Sequence, residues 1–235
     1  MRGVLVRVGI DSSCGGWNSP YDPQTRRFVY VPIPEGNEGN LHPSLVHRYG
    51  EVVPALKVMD VVQPQHLVGR PMHLDPDFEN LTYGDVFPRS IPLLDLHKGD
   101  FIVFYAGLQP VGAEQRGLAY ALIGLYAVKE VVNAADVPQD RWHENAHTRR
   151  RLKGRDDVIV RAVAGRSGRF DRAIPIGEYR DRAYRVRKPI LEKWGGLTVQ
   201  DGYIQRSGKL PEFKKPERFL KWLEAQGRKL ARRNN

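Results

Sequence analysis

The chain of 235 residues suits one large domain or two small ones, with 41% hydrophobic residues and a formal net charge of +10. No apolar run approaches the roughly 20 residues of a membrane-spanning helix, and the single cysteine, Cys14, excludes an intrachain disulfide and fits a reducing, cytoplasmic setting. The charge is uneven: residues 1–140 carry 11 Lys and Arg against 16 Asp and Glu, a net of −5, whereas residues 141–235 carry 26 against 11, a net of +15. Such asymmetry is the footprint of a region facing a polyanion, nucleic acid foremost, joined to a region with another task.

In chain order, VLVRVGI (4–10) reads as a first strand, too short and too polar at Arg7 for a signal peptide. A Gly/Ser loop follows from Asp11 to Pro20. FVYVPI (28–33) reads as a second strand limited by Pro32, and residues 51–62 fit strand or helix. The proline-rich stretch 70–92 has little periodicity and reads as a functional or surface-wrapping segment. FIVFYAG (101–107) and YALIGLYAVKEVV (120–132) form the clearest signal, a β-hairpin with a wide loop and a bend at Gly124. A helix is expected over 138–152, a strand over 158–165 and a basic loop to about 187. A hairpin is expected around Asp201-Gly202, and a basic amphipathic helix from Pro216 with Phe219, Leu220, Leu223 and Leu230 on one face. The pattern is α+β: a single domain with a curved mixed sheet or small barrel, a few helices and a basic C-terminal helix.

Several constellations carry chemistry. Asp11, Ser12, Ser13, Cys14 and Asn18 surround Gly15-Gly16, where backbone N–H groups can cradle an anion and Trp17 can stack on a base. The alternative is a tight turn with a structural tryptophan, and no pattern activates Cys14 as a nucleophile. His73, Asp75 and Asp77 alternate, so an extended chain turns all three to one side, a geometry that suits a divalent metal or a solvated acidic loop. His143-Glu144-x-x-His147 matches the zinc-hydrolase pattern, which requires both histidines on one helix face. The adjacent Arg149–Arg151 and the lack of a third-ligand extension weigh against zinc, so no cofactor is predicted. Asn145 and His147 then contact a base or phosphate, with Arg149, Arg150, Arg166 and Arg169 neutralising phosphates. The bland reading is a surface helix with an Arg-rich end. Tyr179 and Tyr184 among the arginines of 180–187 suit a nucleic-acid groove.

Two resemblances rest on these residues. Leu96 to Tyr105 (LHKGDFIVFY) with Ala121 to Val128 (ALIGLYAV) is similar to the hairpin of PUA-like barrels of the EVE and ASCH groups, which implies a small β-barrel that reads RNA or modified DNA bases. More broadly, VGIDSSCGGWNSP (8–20), FVYVPIP (28–34), HLDP (73–76), YGD (83–85), the Gly-Asp hairpin, NAH (145–147) and AIPI (173–176) resemble the third of the nucleotide-modification-associated domain families. That resemblance implies a role in recognising or processing modified nucleotides, within DNA base-modification systems, and supplies no reaction. It places Asp11, Asn18, His73, Asp75, Asp85, Asn145 and His147 inside shared motifs.

Two functions follow as expectations. One is a nucleic-acid reader, DNA favoured over RNA. Its basic part grips the backbone, Trp17, Tyr83 and Tyr105 form a base pocket, and Asp11, Asn18 and Asn145 meet base edges. The other is an enzyme acting on a nucleobase or nucleotide, with Asp11, Asp75, Asp85 and His147 in general acid–base roles.

Overall fold

The long hydrophobic hairpin organises the sheet. The computed structural model describes residues 1–112, 117–205 and 210–235, so the tip of the expected wide loop, 113–116, lies outside the described residues. In chain order the strands are β1 (Gly3–Arg7), β2 (Pro20–Tyr21), β3 (Ile33–Pro34), β4 (Met72–His73), β5 (Thr82–Asp85), β6 (Phe101–Pro110), β7 (Ala119–Asn133), β8 (Val158–Ala162), β9 (Gly168–Pro175), β10 (Gly177–Arg180), β11 (Ala183–Val186) and β12 (Leu230–Ala231). The α-helices are α1 (Val53–Val58), α2 (Ile91–Leu94), α3 (Lys188–Trp194) and α4 (Pro216–Glu224).

β7 is the hub. One edge pairs antiparallel with β6, and the register slips between Phe104 and Tyr105, opposite Gly124 and Leu122, where the bend was expected. The other edge divides: Ala121 to Leu125 pairs with β9, and Val128 to Asn133 pairs with β8. β1 adds in parallel to β6, and β5 adds antiparallel to β8, giving the order β1-β6-β7-β8-β5. The fold is therefore mixed α+β with a large mixed sheet, and the described residues form no closed barrel.

Alternation along β6 explains why both sheet faces are dry. Ile102, Phe104, Ala106 and Leu108 join one core with Val4, Val6, Phe78 and Tyr126. Phe101, Val103 and Tyr105 face the opposite core with Leu5, Trp194, Phe213 and Phe219. A third cluster of Ile10, Val29, Val31, Tyr49 and Leu56 supports the segment between β1 and β4. No helix among the described residues is long and apolar enough to cross a membrane.

Several local expectations change. Residues 51–62 resolve to a 3-10 turn running into α1. FVYVPI is extended but contributes only Ile33-Pro34 to a ladder, because its remaining groups bond singly to Pro20, Ile10 and the Asn235 side chain. The expected helix over 138–152 is a 3-10 helix, Gln139–Glu144, that ends at an extended Asn145. Asn145 ends it by turning its side chain onto the backbone ahead, accepting from His147 N–H. The basic loop before 187 is instead three strands, β9 to β11. Around Asp201 the chain forms a 3-10 turn, Gln200–Gly202, not a hairpin; Arg206, at the end of that expected segment, lies outside the described residues. The C-terminal helix begins at Pro216 as expected but stops at Glu224, and Leu230 pairs with Phe170 in the sheet.

Phe78 anchors the first core: it is fully buried and makes edge contacts with Tyr30, Phe104 and Tyr126 at ring distances of 5.4, 5.8 and 5.6 Å. Phe78→Ala is expected to cost about 3–5 kcal/mol of unfolding free energy, measured by denaturant titration.

Candidate active site

The buried carboxylate of Asp75 draws three distant segments together. β5 presents the Gly84 N–H to both Asp75 oxygens at 3.0 Å, and the Asn145 amide donates to Asp75 Oδ1 at 3.1 Å. Asn145 is fully buried; its Nδ2 lies 3.3 Å from Thr82 Oγ1, and its Oδ1 accepts from His147 N–H at 2.9 Å. The same side chain therefore orients both Asp75 and His147, so Asn145 serves as a latch between them. Strand pairing sets the other histidine: β3 lies antiparallel to β4 with Ile33 opposite His73, bringing Glu35 beside the imidazole.

Both imidazoles point Nε2 at one oxygen. Asp75 Oδ2 is 3.5 Å from His147 Nε2 and 3.9 Å from His73 Nε2, and the two rings meet edge to face at 4.9 Å. Each Nδ1 faces a second carboxylate, Glu35 Oε2 at 2.9 Å for His73 and Asp157 Oδ2 at 3.2 Å for His147. Because an ionised carboxylate only accepts, each Nδ1 carries the donated proton. Arg150 closes the ring, with its guanidinium 2.9 Å from Glu35 and 3.8 Å from Asp157. It is held there because residues 149–151 run beside 40–42, bonding His42 N–H to Arg149 O and Arg151 N–H to Asn40 O.

The environments drive the two histidines apart. Burial lowers the His147 pKa, but the hydrogen bonds to Asp157 and Asp75 outweigh it and push it up to about 9. For His73, burial and the neighbouring His147 prevail over the Glu35 hydrogen bond, and the pKa falls. Burial works against the Glu35 carboxylate, yet His73 and Arg150 hold it down at about 2. Among the described residues, His73, Asp75 and His147 form a group whose potential ligand atoms all lie within 4.8 Å of one another.

These side chains line a cavity of about 460 Å³ together with Arg7, Asp11, Cys14, Tyr83, Asp85, Arg89 and Tyr105. Asp85 accepts from the Tyr83 hydroxyl at 2.5 Å and pairs with Arg89 at 3.0 Å. The Tyr105 hydroxyl donates to Ile204 O at 2.7 Å. Burial raises both phenols, and the neighbouring Asp85 carboxylate raises that of Tyr83 as well.

Of the other expected site residues, Asp11 reaches the cavity, but its Oδ1 accepts from Ser13 N–H, Ser13 Oγ–H and Cys14 N–H, and its Oδ2 pairs with Arg7 at 3.1 Å. It chiefly holds its own loop. Ser12 and Gly16 are exposed, and the Gly15 carbonyl accepts from His66 Nε2 at 2.8 Å. Trp17 packs on the third core instead of lining the cavity, and Asn18 donates to Gly107 O. Asp77 leaves the alternating set because it pairs with the buried Arg149 at 2.5 Å and caps Glu79 and Asn80 N–H.

The zinc pattern at 143–147 does not assemble. His143 is exposed with Nδ1 against Asp140 O, and Glu144 is buried in ion pairs with Arg161 at 2.6 Å and Arg141 at 2.7 Å. Without a helix, the two histidines share no face. The arginines also separate: Arg166 is exposed, Arg150 joins the site, and Arg149 is committed to Asp77 and His143 O. Arg169 is buried over the Phe28 ring at 4.8 Å; burial and Arg233 bring its pKa down to about 10. Neither Arg149 nor Arg169 is presented to a phosphate. Glu35 and Asp157 belong to the site as well, and nothing in their local sequence signals a partner 38 or 10 residues away.

A family model described as nucleotide modification associated domain 3 matches residues 2–214. No curated protein and no solved structure matches the chain.

The close approach at β5 is testable. A Cβ on Gly84 would lie 2.5 Å from His147 Cδ2 and 2.9 Å from Asn145 Oδ1, whereas one on Gly36 meets nothing within 4 Å. Gly84→Ala is expected to cost about 1–3 kcal/mol in denaturant unfolding, with Gly36→Ala close to neutral. Arg149→Ala strands a buried Asp77 carboxylate and is expected to cost about 3–5 kcal/mol in the same measurement, while Arg166→Ala stays within about 0.5 kcal/mol of the parent.

Proposed function

The chain belongs to the nucleotide modification associated domain 3 family, and from that premise we propose that it takes one modified nucleotide of a DNA strand into the cavity and processes it there. The observation that carries this reading is convergence. The motifs around Asp11, Asp75, Asp85 and His147 are far apart in sequence, yet they line one cavity of about 460 Å³. That volume falls within the roughly 300–1,000 Å³ of small-molecule sites. Arg7, Arg89 and Arg150 bring positive charge to its wall, and Tyr83 and Asp85 offer polar edges to a base. The buried His73–Asp75–His147 cluster favours processing over reading alone, because recognition of a base does not need two histidines aimed at one carboxylate.

The polyanion is gripped elsewhere. A second cleft of about 330 Å³ is lined by Arg26, Arg187, Lys193, Trp222 and Gln226, which combines cations with an aromatic face. A duplex or single strand lying there is expected to weaken steeply with salt, each neutralised phosphate adding about 0.9 to the log–log slope on duplex DNA.

The test uses labelled DNA with and without modified bases. Binding by fluorescence anisotropy is expected to fall with salt, and Arg187→Glu with Lys193→Glu to weaken all sequences alike. Nucleoside mass analysis is expected to show modified bases altered by the parent and untouched by Asp85→Ala. Absence of DNA binding at low salt overturns the reading; binding without any mass change leaves a reader in place of an enzyme.

A further inference from the structure

We propose that His73, Asp75 and His147 bind a divalent transition-metal ion whose remaining positions open into the cavity. The three donors are aimed at one point: both Nε2 atoms face Asp75 Oδ2, at 3.5 and 3.9 Å. Metal–nitrogen and metal–oxygen lengths of about 2.0–2.2 Å place an ion between such atoms with small adjustment.

The second, independent observation lies behind the ligands. A ligating histidine typically donates its other ring N–H to a carboxylate, which fixes the tautomer and sharpens the Nε2 lone pair. Here both histidines do so, and to different carboxylates brought from different parts of the chain: His73 to Glu35 at 2.9 Å and His147 to Asp157 at 3.2 Å. The third donor is held as well, because Gly84 N–H and the Asn145 amide grip Asp75 from behind. A metal-free buried network needs no such matching of both imidazoles.

Charge points the same way. Glu35 and Asp157 are buried beside Arg150, and Asp77, Asp85 and Asp11 each have an arginine of their own, whereas Asp75 is buried against the two imidazoles and the Gly84 and Asn145 N–H groups. With the neighbouring carboxylates held by arginines, a divalent cation between the three donors would compensate the buried Asp75. Two histidines and one carboxylate suit zinc or iron(II) and leave positions for water and substrate, as catalytic sites require. The ion would polarise a substrate oxygen or activate a bound water beside the nucleotide.

This deepens the nucleotide reading and rests on it only for the ion's purpose, so the experiment uses metal alone. Chelator-treated, tag-free full-length protein is titrated calorimetrically with Zn²⁺, Mn²⁺ and, without oxygen, Fe²⁺. One ion per chain is expected for at least one of them. His73→Ala, Asp75→Ala and His147→Ala are expected to abolish uptake. Glu35→Gln and Asp157→Asn are expected to weaken it about 10–100-fold, and His143→Ala to leave it unchanged. Co²⁺ is expected to give visible absorption bands in the parent protein that Asp157→Asn shifts, a readout that survives if an alanine variant fails to fold. No uptake of any of these ions by the folded parent, or uptake undiminished by Asp75→Ala, overturns the proposal. Metal uptake without DNA binding upholds the site and removes the nucleotide reading; DNA binding without metal uptake does the reverse.

Discussion

The burial of the Asp75 carboxylate is the constraint from which the site follows. A buried charge survives only when hydrogen bonds and opposite charge replace the water it has lost. Asp75 obtains hydrogen bonds from Gly84 on β5 and Asn145 in the segment before β8, so its carboxyl group ties together residues 9 and 70 positions away. The requirement for a close backbone donor explains why position 84 carries no side chain, since a Cβ there would collide with the His147 ring. It also explains why Asn145 is fully buried, its two amide ends serving Asp75 and His147 at once. The sheet supplies the rigidity: β5 pairs along its whole length with β8, and Asp157, the partner of His147, immediately precedes β8.

The same logic separates groups that face a ligand from groups that hold the frame. Asp11 and Asp77 look equivalent to Asp75 as acids, but their oxygens are occupied by neighbouring N–H groups and by Arg7 and Arg149. Asp85 is intermediate. Tyr83 and Arg89 hold one of its oxygens and Val86 N–H the other, and it remains on the cavity wall. A ligand entering the cavity would therefore meet fixed histidine and carboxylate groups together with arginine and tyrosine on its wall. Preorganised donors of this kind spend little reorganisation on a developing charge.

Much of this was legible from sequence where periodicity governs. The alternation of FIVFYAG and YALIGLYAV locates the central hairpin, and the small Gly124 marks the register slip. His73 and Asp75 were paired correctly from their i, i+2 spacing. Asp77 was not, because an ion pair with a residue 72 positions away outweighed the extended pattern. The His143–His147 spacing misled for a related reason: it has meaning only on a helix, and Asn145 breaks the helix by bonding forward to His147 N–H. Glu35, Asp157 and Arg150 are bound to the histidines by tertiary proximity alone. In 168–186 the many charged residues hid a strand, β9, in which Phe170, Ala173 and Ile174 are buried beside the exposed Asp171 and Arg172.

The charge asymmetry takes on a different meaning in the folded chain. Several arginines of the basic part turn to acids of the acidic part: Arg149 to Asp77, Arg150 to Glu35 and Arg161 to Glu130. Others are paired locally, as Arg180 is with Glu178 and Asp201. Part of the excess thus neutralises the site's own carboxylates, and it does so across the interior, where a removed partner is costly. Arg166, Arg187 and Lys193 are exposed by contrast, the latter two beside Trp222 in the second cleft. A polyanion would feel these cations and not the full count, so the basic half is better understood as two populations. One makes a buried acidic site possible, and the other stays on the surface.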